Sequence, residues 1–135
     1  MSLYVADASA LLRYLDREAG FDRVAHLLKE SARGKSELLV STVNWGEIIS
    51  VIYKAHGMSV AKSTSASMRA LPMTIISVDA NHAETAGILK QDFKLSYAGA
   101  FAGALALEKG ATLVTADFDF KPAAHAIKIE FLPTK

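Results

Sequence analysis

The chain has no cysteine among its 135 residues. Disulfide bonds, thiolate zinc sites and cysteine nucleophiles are therefore excluded as the basis of its chemistry. An excess of one charge is also missing, because 15 lysine and arginine residues against 14 aspartate and glutamate residues give a formal net charge of +1. With no global positive field to attract a polyanion, any contact with nucleic acid must depend on local basic patches.

Long apolar runs are absent as well. Although 51% of the residues are hydrophobic, no run approaches the roughly 18–20 residues that cross a bilayer, and no charged-then-apolar leader opens the sequence. A chain of this length can bury well over half of its unfolded surface around one core. We therefore expect a single domain over residues 1–135 that is cytoplasmic and makes no membrane contact.

Short apolar segments alternate with helical patterns along the whole sequence. The strands are expected at residues 2–6, 38–40, 73–78, 112–115 and 127–132. The helices are expected directly after residue 7 and over residues 20–33, 42–56, 60–70, 80–93 and 96–109. Strands that alternate with helices of this length require right-handed crossovers. The sequence therefore predicts an α/β fold, a three-layer α/β/α sandwich around a mostly parallel sheet.

Several classes of α/β enzyme lack their motifs here. The dinucleotide-binding pattern G-x-G-x-x-G, the P-loop G-x-x-x-x-G-K-[ST] and the serine-hydrolase pattern G-x-S-x-G do not occur. Chemistry must therefore be sought in other polar residues.

Three acidic residues follow predicted strands. Asp7 comes directly after the first strand, Glu47 lies about two turns into the helix after the second, and Asp117 follows the strand at 112–115. Ligands of open α/β sheets bind outside the carboxyl ends of the strands, so these side chains can converge at one edge. Converging carboxylates repel unless one is protonated or a hard cation such as Mg²⁺ or Mn²⁺ lies between them. The sequence therefore predicts a divalent metal site.

Four short segments, in order along the chain, carry a resemblance to a known family. They are VADASALL at 5–12, NWGE at 44–47, LSYA at 95–98 and LVTADFDF at 113–120. Together they resemble the PIN domain, and more narrowly the VapC-like toxins of toxin–antitoxin modules. The resemblance implies an endoribonuclease that depends on Mg²⁺ or Mn²⁺ and cleaves an RNA substrate. It also implies a homodimer that a cognate antitoxin protein holds inactive.

The expected metal ligands are the acidic residues near the strand ends: Asp7, Glu47, Asp117 and Asp119. The first three are also expected to be catalytic, because carboxylates, a metal ion and water suffice to hydrolyse a phosphodiester. Simpler interpretations exist, since aspartate is common at helix N-caps and in turns, and a lone glutamate on a helix is usually solvated. Asp7 and Glu47 occupy matching places in the predicted fold, and this favours a metal-ligand role for both.

Three polar neighbours are expected to support these acids: Ser9, Asn44 and Thr115. Ser9 and Thr115 are expected to orient the ligating carboxylates or to cap backbone groups. Asn44 is equally well explained as a hydrogen-bond partner at the start of its own helix. The candidate phosphate contacts, for which solvated helix faces are an equally good explanation, are Arg13, Arg17, Lys54, Lys62 and Arg69.

One position departs from the family pattern. The family has an aspartate after the Leu-Ser-Tyr-Ala stretch, where this chain has Gly99. The resemblance therefore implies that one metal ligand is missing. Three explanations are open: the site has degenerated, the residue was changed to disarm a toxic enzyme, or Asp119 and water complete the site. The alternative function is a non-catalytic PIN-like module that binds RNA or an antitoxin without cutting.

Overall fold

Five parallel strands form the centre of the molecule, in the order β3-β2-β1-β4-β5. The computed structural model describes residues 1–135. The strands are β1 Ser2–Ala6, β2 Ser36–Ser41, β3 Thr74–Ile76, β4 Thr112–Thr115 and β5 Ile129–Phe131. The helices are α1 Ala8–Leu15, α2 Phe21–Ala32, α3 Thr42–His56, α4 Met58–Arg69, α5 Ala80–Phe93 and α6 Tyr97–Lys109, with a 3₁₀ helix at Phe118–Ala123. None of the helices is both long and apolar enough to cross a membrane.

Both faces of the sheet are covered, because neighbouring residues of a strand point to opposite sides. Val5 of β1 and Leu113 of β4 belong to a core with α5, α6 and the 3₁₀ helix. The next residues, Ala6 and Val114, belong to a second core with α1, α2, α3 and α4. The predicted three-layer α/β/α sandwich is confirmed, and every strand pair is parallel.

Cap residues explain why the helix bounds could be predicted closely. The hydroxyl oxygen of Ser41 accepts from the Val43 amide at 3.1 Å, and that of Ser96 accepts from the Gly99 amide at 3.0 Å. Gly110 ends α6 at a φ of +61°, a conformation that favours glycine.

Three features differ from the sequence-based prediction. The outer strands are shorter than expected: β3 covers Thr74–Ile76 within 73–78, and β5 covers Ile129–Phe131 within 127–132. Each is an edge strand that pairs on one side only. Arg17 lies outside α1, in the turn after it, at a φ of +52°. The 3₁₀ helix was not expected, because a six-residue element is too short to carry a periodic signal.

The fold places a crevice where the strand order reverses. The chain runs from β1 outward through β2 and β3, and then returns to the other side of β1 to form β4 and β5. Helices that leave adjacent strands in opposite directions open a crevice at the strand carboxyl ends. Asp7 follows β1 and Asp117 follows β4, so both lie at this crevice.

Candidate functional site

Asp7 is the most buried acidic residue, with 4% of its surface exposed. It caps α1, because its Oδ1 accepts a hydrogen bond from the Ala10 amide at 2.9 Å. The same oxygen accepts from the Ser9 hydroxyl at 2.7 Å, and Oδ2 accepts from the Thr115 hydroxyl at 2.6 Å. The helix cap is therefore real, but it uses only one of three donors. The other two hold the carboxylate in a fixed orientation.

The two hydroxyl groups have no proton left for each other. Ser9 Oγ lies 3.2 Å from Thr115 Oγ1, but each hydroxyl carries one hydrogen and each donates it to Asp7. Both oxygens also accept backbone hydrogen bonds, Ser9 from the Ala116 amide at 2.9 Å and Thr115 from the Asp117 amide at 3.0 Å. Ser9 and Thr115 therefore connect the end of β4 and the residues after it to the carboxylate after β1.

Burial raises the pKa of Asp7 from 3.8 to about 6. Loss of water around the carboxylate is the main cause, and the hydrogen bonds from Thr115, Ala10 and Ser9 partly oppose it by stabilising the charged form. The negative charge of Asp117 raises the pKa further. Thr115 Oγ1 connects the two residues, because it donates to Asp7 Oδ2 and accepts from the Asp117 amide. At neutral pH, Asp7 is thus a charged group in a poorly solvated place with no cation beside it.

Glu47 and Asn44 lie on α3 and contact each other. Asn44 is fully buried, and its Nδ2 donates to the Ala98 carbonyl at 3.0 Å and to Glu47 Oε1 at a longer 3.4 Å. Its Oδ1 is buried without a partner. Asn44 therefore does more than begin its own helix, because it connects α3 to the start of α6. Glu47 itself is exposed.

Gly99 lies beside the contact of Asn44 with α6 and beside the 3₁₀ helix. Gly99 directly follows Ala98, whose carbonyl binds Asn44. A Cβ atom placed on Gly99 would lie 3.2 Å from Cζ of Phe120, in the 3₁₀ helix that Asp117 caps. It would also lie 2.9 Å from Ser96 Oγ, which would have to move slightly. A side chain at residue 99 would therefore begin against the ring of Phe120, which would have to shift by a few tenths of an ångström.

The structure brings together only part of the predicted ligand set. No group of three or more histidine, cysteine, aspartate or glutamate side chains lies close enough to hold a metal ion. Asp7 and Asp117 are connected through the Thr115 hydroxyl, whereas Glu47 contacts Asn44. Asp119 is exposed, and its backbone amide donates to Asp117 Oδ1 at 2.9 Å. The gap that Gly99 leaves is not filled by another acid.

The donors that are present still fit a hard cation. All of them are oxygen atoms, which Mg²⁺ and Mn²⁺ prefer. Mg²⁺ is commonly bound through one or two carboxylates while it keeps several of its waters. Asp7 and Asp117 supply two carboxylates, and the buried charge of Asp7 is a group that a cation and its waters would satisfy.

Basic residues around the site are mostly engaged elsewhere. Arg13 donates to the Ala19 carbonyl at 3.1 Å. The guanidinium groups of Arg17 and Arg69 lie over aromatic rings: that of Arg17 is 4.9 Å from the centroid of Phe21, and that of Arg69 is 5.4 Å from a centroid of Trp45. Lys54 and Lys62 are exposed on α3 and α4. The sequence-based search did not select Lys121, although it lies four residues after Asp117. Its position relative to the site depends on the unforeseen 3₁₀ helix.

Comparison with known proteins supports the resemblance. Residues 4–126 match the PIN domain. The chain belongs to the PIN domain family. Among solved structures, this PIN domain is similar to VapBC2 from Rickettsia felis bound to a DNA fragment from its promoter (TM-score 0.76, 15% identity, covering 97% of this chain and 99% of the other). No curated protein matches the sequence significantly.

Two further solved structures have the same fold as this PIN domain. The DNA-bound VapBC from Salmonella typhimurium gives a TM-score of 0.74 at 13% identity, with 97% of this chain and 98% of the other covered. VapC20 from Mycobacterium tuberculosis, described as a sarcin–ricin loop cleaving toxin, gives 0.68 at 19% identity, with 98% and 100% covered. At these identities the similarity concerns the fold. The activity of the PIN domain must be argued from its own residues.

Proposed function

We propose that this PIN domain is a Mg²⁺- or Mn²⁺-dependent endoribonuclease of the toxin type. The main support is Asp7, a buried and charged carboxylate held by three donors at the crevice where ligands of α/β sheets bind. A carboxylate kept charged at a cost in stability, with no cationic side chain to balance it, is typical of a functional site. The acidic set of the proposal is Asp7, Glu47 and Asp117, with Asp119 at its edge.

Each residue has a defined task in this proposal. A divalent ion in such a site supplies charge neutralisation of the phosphodiester and activation of water. Asp7 and Asp117 are the carboxylates that would hold the ion, and Ser9 and Thr115 fix Asp7 in one orientation. Asn44 positions the Glu47 helix against the start of α6. Because the pKa of Asp7 is about 6, the ligating form is present at neutral pH and is lost as the pH falls below that value.

The partners follow from the same proposal. One similar structure is described as a toxin–antitoxin complex from Klebsiella pneumoniae, and two others as DNA-bound VapBC. We infer a cognate antitoxin, RNA as substrate and a homodimer for this chain. Four large apolar side chains are exposed on or between α3 and α4. They are Val51, Tyr53, Met58 and Val60. Because Val51 and Tyr53, like Met58 and Val60, are two positions apart on one helix, the members of each pair do not share a face. The proposed antitoxin is therefore supported by the similar structures and not by these side chains.

A non-catalytic module that binds RNA or an antitoxin is the second candidate. It is favoured by Gly99, which supplies no carboxylate, and by the absence of three grouped acids. The two candidates differ in one observable, cleavage of RNA under any divalent metal.

The deciding experiment compares five proteins on a panel of labelled RNAs with Mg²⁺, Mn²⁺ or a chelator. They are the wild type, Asp7→Asn, Asp117→Asn, Gly99→Asp and Gly99→Asn. We expect Gly99→Asp to cleave faster than the wild type, and Gly99→Asn, which has nearly the same size without the charge, to show no gain. Asp7→Asn and Asp117→Asn are expected to cleave no more than the chelator control. Cleavage that survives both substitutions would reject the proposed acids, and no cleavage by Gly99→Asp would favour the binding module.

A further inference from the structure

Phe118 is an apolar ring exposed directly beside the proposed metal ligands. It follows Asp117 in the chain and begins the 3₁₀ helix, with 41% of its surface exposed. Its ring stacks on Phe131 of β5, with centroids 5.3 Å apart and an interplanar angle of 19°. The ammonium group of Lys121 lies 5.1 Å from the Phe118 centroid. Single exposed apolar residues are common, but this one belongs to an aromatic and cationic group at the site.

Phe118 also lines a groove. Its volume is about 600 Å³, and its lining residues are Asp92, Phe93, Lys94, Phe118, Asp119 and Pro122. Phe118 and Asp119 follow Asp117 directly in the chain, so one wall of the groove is built by the segment that begins at this proposed ligand.

We propose that Phe118 forms a base-stacking subsite, in which one base of a single-stranded RNA lies against the ring next to the cleaved phosphate. This inference rests on the proposed ribonuclease function. Proteins bind single-stranded nucleic acid by combining aromatic rings, which stack on bases, with cations that contact the phosphates. Phe118 and Lys121 supply that combination one and four residues after a proposed metal ligand.

The charges of the groove determine which part of the nucleotide enters it. Asp92 and Asp119 line the groove, and their negative charges disfavour a phosphate inside it. A neutral base meets no such repulsion. Lys121 and Lys94 are exposed and can follow the RNA backbone along the rim. The contact of Lys121 with the ring is a surface cation–π interaction, which is weak enough for a base to replace.

The packing beneath the ring makes Phe118 a fixed platform. Phe131 supports one side of the ring, and Phe120, two residues on, is buried in the core with 2% of its surface exposed. Asp117 holds the first turn of the 3₁₀ helix by accepting from the Asp119 amide. The orientation of the platform is thus tied to the same carboxylate that we place at the metal. A stacked base would then fix the register of the strand at the scissile bond.

The test measures the binding of a short fluorescent single-stranded RNA by fluorescence anisotropy. A chelator is present so that the RNA is not cleaved. The variants are Phe118→Leu, which keeps an apolar side chain but has no ring face, and Phe118→Trp, which keeps a stacking surface. Ile88→Ala is the matched control, because Ile88 is 62% exposed on α5 outside this groove. Thermal melting of each variant establishes that it is folded.

We expect Phe118→Leu to weaken RNA binding about 5-fold to 150-fold, which corresponds to the roughly 1–3 kcal/mol that one stacked base contributes. Phe118→Trp and Ile88→Ala should stay within about twofold of the wild type. Lys121→Gln should reduce the slope of log affinity against log salt by about 0.7, the change for one phosphate contact on a single strand.

Equal binding by Phe118→Leu and the wild type overturns the subsite, whether or not the protein cleaves RNA. Equal weakening by Phe118→Leu and Ile88→Ala also overturns it, because the effect would then be general. RNA binding that depends on the ring in a protein that cleaves nothing supports the subsite and rejects only the nuclease.

Discussion

Asp7→Asn should make the metal-free protein more stable while it removes function. The pKa of Asp7 is raised from 3.8 to about 6 in the folded state. At about 1.36 kcal/mol per pKa unit, the charged carboxylate costs the fold about 3 kcal/mol at neutral pH. The asparagine keeps an oxygen for the Ala10 amide and the Ser9 hydroxyl, and its NH₂ group can donate to Thr115 Oγ1. The Thr115 hydroxyl hydrogen is then free to turn toward Ser9 Oγ, 3.2 Å away.

The stability that Asp7→Asn gains over the wild type should increase as the pH rises. As the pH rises from about 4 to about 6, the unfolded wild type releases the proton of Asp7 while the folded wild type retains it. The wild type therefore loses stability across this range, and the variant does not. We expect the variant to be about 2–3 kcal/mol more stable at pH 8 in chelator, a rise in melting temperature of about 10 °C, and to gain almost nothing near pH 4.

Urea and thermal unfolding at pH 4, 6 and 8 measure this difference. Asp119→Asn is the control, because its carboxylate is exposed and its removal should change stability by about 0.5 kcal/mol at most. Added Mg²⁺ should then stabilise the wild type by about 2.7 kcal/mol at 100 times its dissociation constant, and the Asp7→Asn variant much less. A variant that is no more stable than the wild type at pH 8, or a gain that is the same at pH 4, would refute the reasoning.

Two further substitutions test the residues around the acids. Thr115→Val removes the hydroxyl that donates to Asp7 Oδ2. We expect the pKa of Asp7, measured by NMR titration, to rise further, and the metal affinity, measured by calorimetry, to fall about 10-fold to 100-fold. Asn44→Ala leaves the Ala98 carbonyl without its donor and releases Glu47, so we expect a loss of about 1–3 kcal/mol in urea unfolding; unchanged stability would show that this connection is not needed.

The fold was predictable because its signals are local. Strand segments, cap residues such as Ser41 and Gly110, and helical spacing all lie within a few residues of the elements they define. The central strands β1, β2 and β4 are buried on both faces, so their apolar runs are unambiguous. The edge strands were predicted too long because they pair on one side only, and a shorter ladder suffices to hold them.

The site was only partly predictable because its geometry is tertiary. A sheet rule places Asp7 and Asp117 at one crevice, but no local pattern shows that the Thr115 hydroxyl donates across 108 residues to Asp7. The same limit applies to Asn44, whose contact with the Ala98 carbonyl joins residues 54 positions apart. The groove beside Phe118 depends on a 3₁₀ helix that sequence patterns do not indicate. Sequence patterns therefore indicate where these residues lie in the fold, but not which atoms they contact.

The structure bears on why glycine stands at position 99. Around it, the arrangement of the other residues is intact: Asp7 keeps three donors, Asn44 keeps its contact with Ala98, and Asp117 keeps its turn. A site without function would gain stability by losing the buried charge of Asp7, so its retention argues against general degeneration. Asp119 is exposed and is not grouped with two other acids, which argues against its replacing the missing carboxylate. Of the three explanations, an isolated change at residue 99 within the proposed site is the one that these contacts favour.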